Sequence, residues 1–297
     1  MKRRRDRGTK GRRDEGERKR ALSARDGPER SHRSPSLDRL SCYELCVQDA
    51  PRMARFLEAV HGGTPRTLRE DFCGTGGVCR AWATISAAHR AVGVDMDAEP
   101  LRRLRRIARV RAVKSDVLAC AERADVISAT NFSIGYWHSR RDLVRYLRAC
   151  RTRLLPRGVF VCDTYGGASA FVRGSVVRDH FTPAGIRVRY TWQQRLADPL
   201  TAMVEDALHF RADRDGEVIF EQADAFVYRW RLWSVPEVRE AMAEAGFART
   251  EVYADLAEAV DQAGRAYVSP VTDPDDLGES FIVCVAGRTR GRTGSGR

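Results

Sequence analysis

The stretch Leu68-Arg69-Glu70-Asp71-Phe72-Cys73-Gly74-Thr75-Gly76-Gly77 decides the fold. An apolar, strand-like lead ends in two acids, and a glycine-rich turn then opens into an amphipathic segment. Glycines in such a turn let the backbone pass close to a ligand. The free N–H groups of the following helix face the same place. Taken alone, the turn is also compatible with a plain strand-to-helix connection.

Gly93-Val94-Asp95-Met96-Asp97 follows, at the end of a second apolar run. Asp95 lies 19 residues after Gly76. An acid about 20 residues past such glycines suits bonding to ribose hydroxyls, so a nucleoside ligand is expected. Val113-Lys114-Ser115-Asp116-Val117 ends a third strand, where an acid can accept from an adenine amino group while Val117 packs on the ring. Asn131-Phe132-Ser133-Ile134-Gly135-Tyr136-Trp137 ends a fourth. In parallel sheets ligands bind outside the carboxyl ends of the strands.

The pattern predicts strands over residues 67–72, 91–94, 110–113, 124–130 and 159–164, with helices between them. Before them, residues 42–60 read as one helical lead-in. Leu143, Leu147, Cys150 and Leu154 recur at helical spacing, with Ser139 as cap and Pro156–Gly158 as stop. Strand–helix alternation implies a parallel sheet covered on both faces. From about 175 to 233 the pattern changes to long β-rich runs at 186–196, 201–212 and 217–230, read as an antiparallel insertion. A helix at 235–245, with a Ser234/Glu237 capping box, and strands at 249–253 and 280–286 complete the body.

The net charge is +12. Residues 1–36 carry 14 Lys/Arg against six Asp/Glu, and residues 288–297 carry four Arg and no acid, leaving 34 of each sign in residues 37–287. Basicity therefore belongs to the tails, and any nucleic-acid partner would have to use them. Residues 1–36 read as a disordered basic tail, 37–287 as the catalytic body and 288–297 as a flexible basic tail. There is no signal-peptide core and no membrane-length apolar run. The eight cysteines form no CxxC pair and several sit in apolar runs. That suits a cytoplasmic protein without a metal site.

The order EDFCGTGG, GVDMDAEPL, SDV, NFS…YW and LLPRGVFVCDTYGG resembles class I S-adenosylmethionine-dependent methyltransferases over roughly residues 40–287. The EDFCGTG variant is similar to a poorly characterised subgroup of them. The resemblance implies a Rossmann-like α/β fold with a seven-stranded, mostly parallel sheet. Its order would be 3-2-1-4-5-7-6, with the last strand antiparallel. It implies S-adenosylmethionine as cofactor and S-adenosylhomocysteine as product. Cofactor-binding residues would be Tyr43, Glu70, Asp71, Cys73, Gly74, Thr75, Gly76, Asp95, Met96, Asp116, Val117, Asn131 and Phe132. The usual acid-x-Gly-x-Gly-x-Gly pattern is broken by Phe72, which stands in the first glycine position.

Methyl transfer from a sulfonium needs mainly positioning and exclusion of water. A general base is needed only for a protonated nucleophile. Tyr165 and His138 are the candidate catalytic or orienting residues, with Asp163 a further candidate that could equally bond a backbone turn. Tyr136, Trp137, Tyr165, Trp192 and Trp230 are expected on the acceptor side. The insertion's aromatics could form an acceptor lid or simply its own small core.

Three rival readings remain. A nicotinamide dehydrogenase would need a third glycine where Cys79 stands. A nucleic-acid methyltransferase would need the tails, because Asn131-Phe132-Ser133 lacks the prolines of amino-methylating DNA enzymes. A non-catalytic scaffold of the same fold would not need the retained acids. The expected acceptor is a small molecule. The oligomeric state is open.

Overall fold

The computed structural model describes residues 37–254, 259–260 and 266–289. The expected tail at 1–36 and the end of the expected C-terminal tail, 290–297, lie outside the described residues. Arg288, assigned above to that tail, is instead the last residue of the final strand. It pairs with Arg249 and Val159, and its guanidinium donates to Glu251 at 2.6 Å.

In chain order the elements begin with α1 (Arg39–Cys46), α2 (Ala50–His61), β1 (Thr67–Asp71), α3 (Gly77–Ile85) and β2 (Arg90–Asp95). There follow α4 (Ala98–Leu101), β3 (Val110–Lys114), β4 (Ala124–Ala129), α5 (Arg140–Arg153) and β5 (Leu154–Gly167). Next come β6 (Gly174–Phe181), β7 (Arg187–Asp198), β8 (Met203–Arg214), β9 (Glu217–Arg231) and α6 (Val235–Glu244). The chain closes with β10 (Arg249–Tyr253), β11 (Ala259–Val260), β12 (Ala266–Tyr267) and β13 (Ser280–Arg288).

The main sheet has the order β3-β2-β1-β4-β5-β13-β10, and only β13 runs against its neighbours. This is the Rossmann-like methyltransferase order that the resemblance implies. Alternation along β5 shows how the two faces are covered. Val159 and Val161 face α2 and α3, packing with Phe56, Leu57 and Trp82. Phe160 and Cys162 face α5 and α6, packing with Leu147 and Met242. Successive side chains of a strand point to opposite faces, so one run of apolar residues builds two cores.

The lead-in is two helices rather than one. Asp49 accepts from the Arg52 N–H at 3.1 Å and Pro51 occupies the first turn, so a new helix starts there. The insertion is a four-stranded antiparallel sheet, β6-β7-β8-β9, with one strand more than expected. The missed strand, β6, is an edge strand, exposed along nearly its whole length. No burial therefore imposes a readable alternation on it. The sheet's inner face packs on α1 through Cys42, Val188, Leu208 and Phe210. Among the described residues no helix is long and apolar enough to cross a membrane.

Candidate active site

The ends of β1, β2, β3 and β4 open on a cavity of about 550 Å³. α1 and the inner face of β9 border it on the other side, through Tyr43, Phe226, Tyr228 and Trp230. Glu70, Cys73, Gly74, Thr75, Asp95, Met96, Asp116, Val117 and Asn131 line it, as do Tyr136 and Trp137.

Two adjacent acids end β1, and strand alternation separates their roles. Glu70 reaches the cavity and is 3% exposed, with its carboxylate accepting from the Cys79 N–H of α3 at 3.1 Å. Burial pushes this carboxyl up to about 7. Asp71 points the other way and does not line the cavity. It accepts from Arg69 Nε at 2.6 Å and from the Tyr146 hydroxyl at 2.9 Å, deep under α5. The expectation that Asp71 belongs to the cofactor loop is therefore corrected: a partner two residues away on its own strand has claimed it.

The turn after β1 depends on three residues with positive φ: Phe72 (57°), Gly74 (52°) and Gly76 (67°). Phe72 takes this backbone at a cost of about 1–2 kcal/mol for a residue with a Cβ. Its ring is held by Tyr136, Trp137 and Tyr146, with centroids 5.7, 6.2 and 5.9 Å away. Aromatic packing thus replaces the glycine of the usual pattern. A Cβ on Gly74 would meet nothing within 4 Å, because that position opens on the cavity. A Cβ on Gly76 would fall 2.5 Å from Leu104. Gly76 is therefore a packing glycine and does not line the cavity, contrary to expectation.

Asp95 ends β2. One of its oxygens accepts from the Gly74 N–H at 2.8 Å and the other from the Asp97 N–H at 2.9 Å. Its side chain thereby ties the glycine turn to β2. Asp116 accepts from the Leu118 N–H at 2.7 Å, which places Val117 as a 3% exposed wall of the cavity. The loop after it is held from behind. The Arg69 guanidinium donates to the carbonyls of Val117, Cys120 and Glu122 at 2.7, 2.8 and 3.1 Å.

The turn after β4 is strained at two consecutive residues, Asn131 (φ 56°) and Phe132 (φ 60°). Asp163 of β5 holds both, accepting their N–H groups at 2.9 and 2.7 Å. Burial pushes its carboxyl up to about 6. Of the two roles offered for Asp163, the backbone turn is the one the geometry shows.

Asn131 lines the cavity, but Phe132 does not. The Phe132 ring lies behind the wall, against Tyr165 at 5.0 Å and Trp230 at 5.9 Å. Tyr165 is likewise behind the wall, its hydroxyl donating to Gln194 Oε1 at 3.0 Å. Trp192 packs edge-on to Tyr165 at 6.2 Å within the insertion's own core. His138 is exposed, with a ring nitrogen 3.0 Å from the Arg229 carbonyl oxygen. Phe132, Tyr165, Trp192 and His138, expected at the site, therefore do not line this cavity.

Arg39, Gln48, Asp97, Ser133 and Phe226 also line the cavity, outside the residues expected from the sequence, and Tyr228 lines it as one of the insertion aromatics offered for a lid. Only the strand alternation of Phe226 with Tyr228 and Trp230 could have signalled Phe226. Arg39 is ion-paired with Glu99, so α1 is latched to α4 across the cavity rim.

Comparison with solved structures places this architecture. The sugar N-methyltransferase KedS8 from Streptoalloteichus shares 19% identity, covering 94% of this chain and 100% of its own, with a TM-score of 0.60. An S-adenosylmethionine-dependent methyltransferase from Clostridium acetobutylicum shares 17% identity over 84% of this chain and 96% of its own, TM-score 0.58. The CcbJ methyltransferase from Streptomyces caelestis shares 19% over 82% and 95%, TM-score 0.57. No protein-family model matches the chain, and none of the curated proteins does. At these identities the likeness shows a shared class I methyltransferase fold.

Proposed function

We propose that this protein transfers a methyl group from S-adenosylmethionine to a small-molecule acceptor. The observation that carries the reading is one cavity bounded by two different surfaces: strand-end acids with an open glycine turn on one side, and an aromatic wall on the other. The first suits a nucleoside with an amino-acid tail and the second an organic acceptor.

The residues present fit the cofactor. The open space at Gly74 is a cradle that a side chain would fill. Asp95 retains carboxylate lone pairs for ribose hydroxyls beside the bonds it makes to the backbone. Asp116 would accept from the adenine amino group, with Val117 on the ring. Glu70, buried without a cationic partner of its own at hydrogen-bond distance, would take the amino group of the methionine part. When bound, the cofactor supplies a methyl group already activated on a sulfonium sulfur. The protein's share is to align the acceptor and exclude water, which α1 with Tyr43 and the β9 aromatics do by covering the cavity. The like fold of the sugar N-methyltransferase KedS8 supports a small-molecule acceptor.

The test is calorimetric titration of S-adenosylmethionine into the protein, with NAD as control and Asp95→Ala in parallel. Micromolar binding of S-adenosylmethionine alone, weakened at least about tenfold by loss of the charged ribose bonds, is expected. Absence of binding, or preference for NAD, would overturn the reading.

A further inference from the structure

Phe226, Tyr228 and Trp230 follow one another at alternate positions on the inner face of β9. The rings of Tyr228 and Trp230 stack 4.3 Å apart at 11°. Tyr136 stands edge-on to Trp230 at 6.1 Å. This end of the cavity carries no basic or acidic catalyst. The charged lining residues are Arg39 and four acids, Glu70, Asp95, Asp97 and Asp116, and the acids all sit at the ends of β1, β2 and β3. The polar groups near the aromatic end are Thr130, Asn131, Ser133 and the hydroxyls of Tyr43, Tyr136 and Tyr228. The Ser133 hydroxyl is already donated to the Thr130 carbonyl, and burial pushes all three phenols above their ordinary value, away from the phenolate that a base would need.

That composition discriminates between acceptors. An alcohol attacks only as its proton is taken, so it needs a base at the nucleophile. A phenolate or carboxylate acceptor would face ring surfaces and acids that repel it. An amine needs no base in the transfer step. It arrives as an ammonium, loses a proton to water, and attacks through its lone pair. The new N–C bond forms as the C–S bond breaks and its electron pair goes to sulfur. The positive charge passes to the nitrogen, which then releases a proton to water. Ring faces stabilise the cation before and after transfer. The wall already accepts one cation, since the Arg39 guanidinium lies 5.0 Å from the centre of the Phe226 ring.

Behind the wall is a second feature. Asp206 of β8 is the register neighbour of Tyr228 on one side and Gln194 on the other. It is fully buried; the polar group beside it is the Tyr165 hydroxyl, whose proton is donated to Gln194, so neither Asp206 oxygen receives a hydrogen bond. Gln194 is spent: its amide donates to the Ala170 and Val172 carbonyls, and its oxygen accepts from Tyr165. Among the described residues no basic side chain pairs with Asp206. A buried carboxylate without a countercharge is expensive unless a positive charge stands nearby. The aromatic end of the cavity is open space adjoining its neighbour Tyr228.

We propose that the acceptor is an amine, held as a cation against Tyr136, Tyr228 and Trp230, and that Asp206 is the positioning residue that selects for positive charge there. The proposal rests on the methyl-transfer reading and names the substrate class of the same site. Asp206 acts through the ring wall and does not touch the acceptor.

The experiment uses two probes of equal shape, choline and its uncharged isostere 3,3-dimethylbutan-1-ol. Each is titrated into the full chain loaded with S-adenosylhomocysteine and followed by tryptophan fluorescence. Choline is expected to bind at least about tenfold more tightly than the alcohol, a cation–π scale difference. Asp206→Asn should bring that ratio below about threefold while S-adenosylhomocysteine affinity stays unchanged, an outcome that a merely structural role would not produce. Trp230→Leu gives an independent check and should weaken choline more than the alcohol. Equal binding of the two probes, binding of neither, or an undiminished ratio in Asp206→Asn with choline discrimination insensitive to Trp230→Leu overturns the proposal. Failure of S-adenosylhomocysteine itself to bind overturns the methyl-transfer reading first, and so separates the two.

Discussion

Arg69 and Asp71, two residues apart on β1, are bonded Nε to Oδ1 at 2.6 Å with neither side chain reaching solvent. The pair does more than neutralise itself. Through Arg69 it gathers three carbonyls of the 117–122 loop, and through Asp71 it accepts from Tyr146 of α5. The wall around Val117 is thus positioned from the core side, where no ligand reaches.

Asp71→Asn should therefore act on stability and not on the ligand directly. It leaves Arg69 buried with less compensation, a loss of about 3–5 kcal/mol by analogy with broken buried pairs. Urea unfolding would measure it. An unchanged midpoint would show that the guanidinium is satisfied by the carbonyls alone.

The two glycines of the turn should separate binding from folding. Gly76→Ala forces a Cβ against Leu104 in a left-handed backbone, so a fall in stability of about 2 kcal/mol is expected. Gly74→Ala meets open space and should cost about 1 kcal/mol in stability. It should weaken S-adenosylmethionine binding more than tenfold by filling the cradle, a loss of about 1.4 kcal/mol or more. Thermal melts and calorimetry on both variants decide this, and equal binding losses would sink the distinction.

Asp163→Ala removes the acceptor for two N–H groups in a strained turn, which costs about 1–3 kcal/mol for each buried donor left unpaired. Because the 131–136 segment lines the cavity, reduced cofactor affinity should accompany the lower melting temperature. A destabilised variant that still binds at full affinity would show that the turn re-forms without its anchor.

Burial raises the carboxyls of Glu70 and Asp206 to about 7 and of Asp163 to about 6. The unfolded chain holds them near the ordinary carboxylate value, so between pH 4 and 7 the folded state binds more protons. Their stabilising contribution is complete below pH 4 and is lost as pH rises through 6 to 7. Melting temperature should therefore fall from pH 5.5 to 8. Asp206 is faced by the Tyr165 hydroxyl, with Gln194 and Tyr228 as its register neighbours and Glu205 next to it in sequence, and none of these is cationic. Asp206→Asn should make the fall shallower, and an unaltered pH slope would refute the assignment.

Much of the fold was legible in the chain because its signals are local. Gly76 opening α3, Asp95 ending β2, and the Ser139 and Ser234 caps of α5 and α6 are each decided within a few residues. Alternation, capping and turn chemistry need no distant partner. Alternation puts Glu70 and Asp71 on opposite faces of β1, but which of them meets the cavity was not legible, because the other face is set by packing under Tyr146, 75 residues from Asp71. The aromatic wall was half legible. Trp230 and Tyr136 could be named, but Tyr165 and Trp192 could not be told from them until Trp230 was seen to line the cavity and Tyr165 and Trp192 to pack against each other outside it.

Local sequence specified the seven strands of the main sheet, the glycine turn, and the acids at the strand ends, because short-range periodicity and backbone sterics set them. Only the tertiary structure decided which side chains share the cavity. It turned Asp71 and Tyr165 inward, set Arg39 at the rim, and buried Asp206 unpaired behind Tyr228. Those outcomes depend on contacts between segments tens to hundreds of residues apart, where packing and desolvation, and not local preference, choose the direction of a side chain.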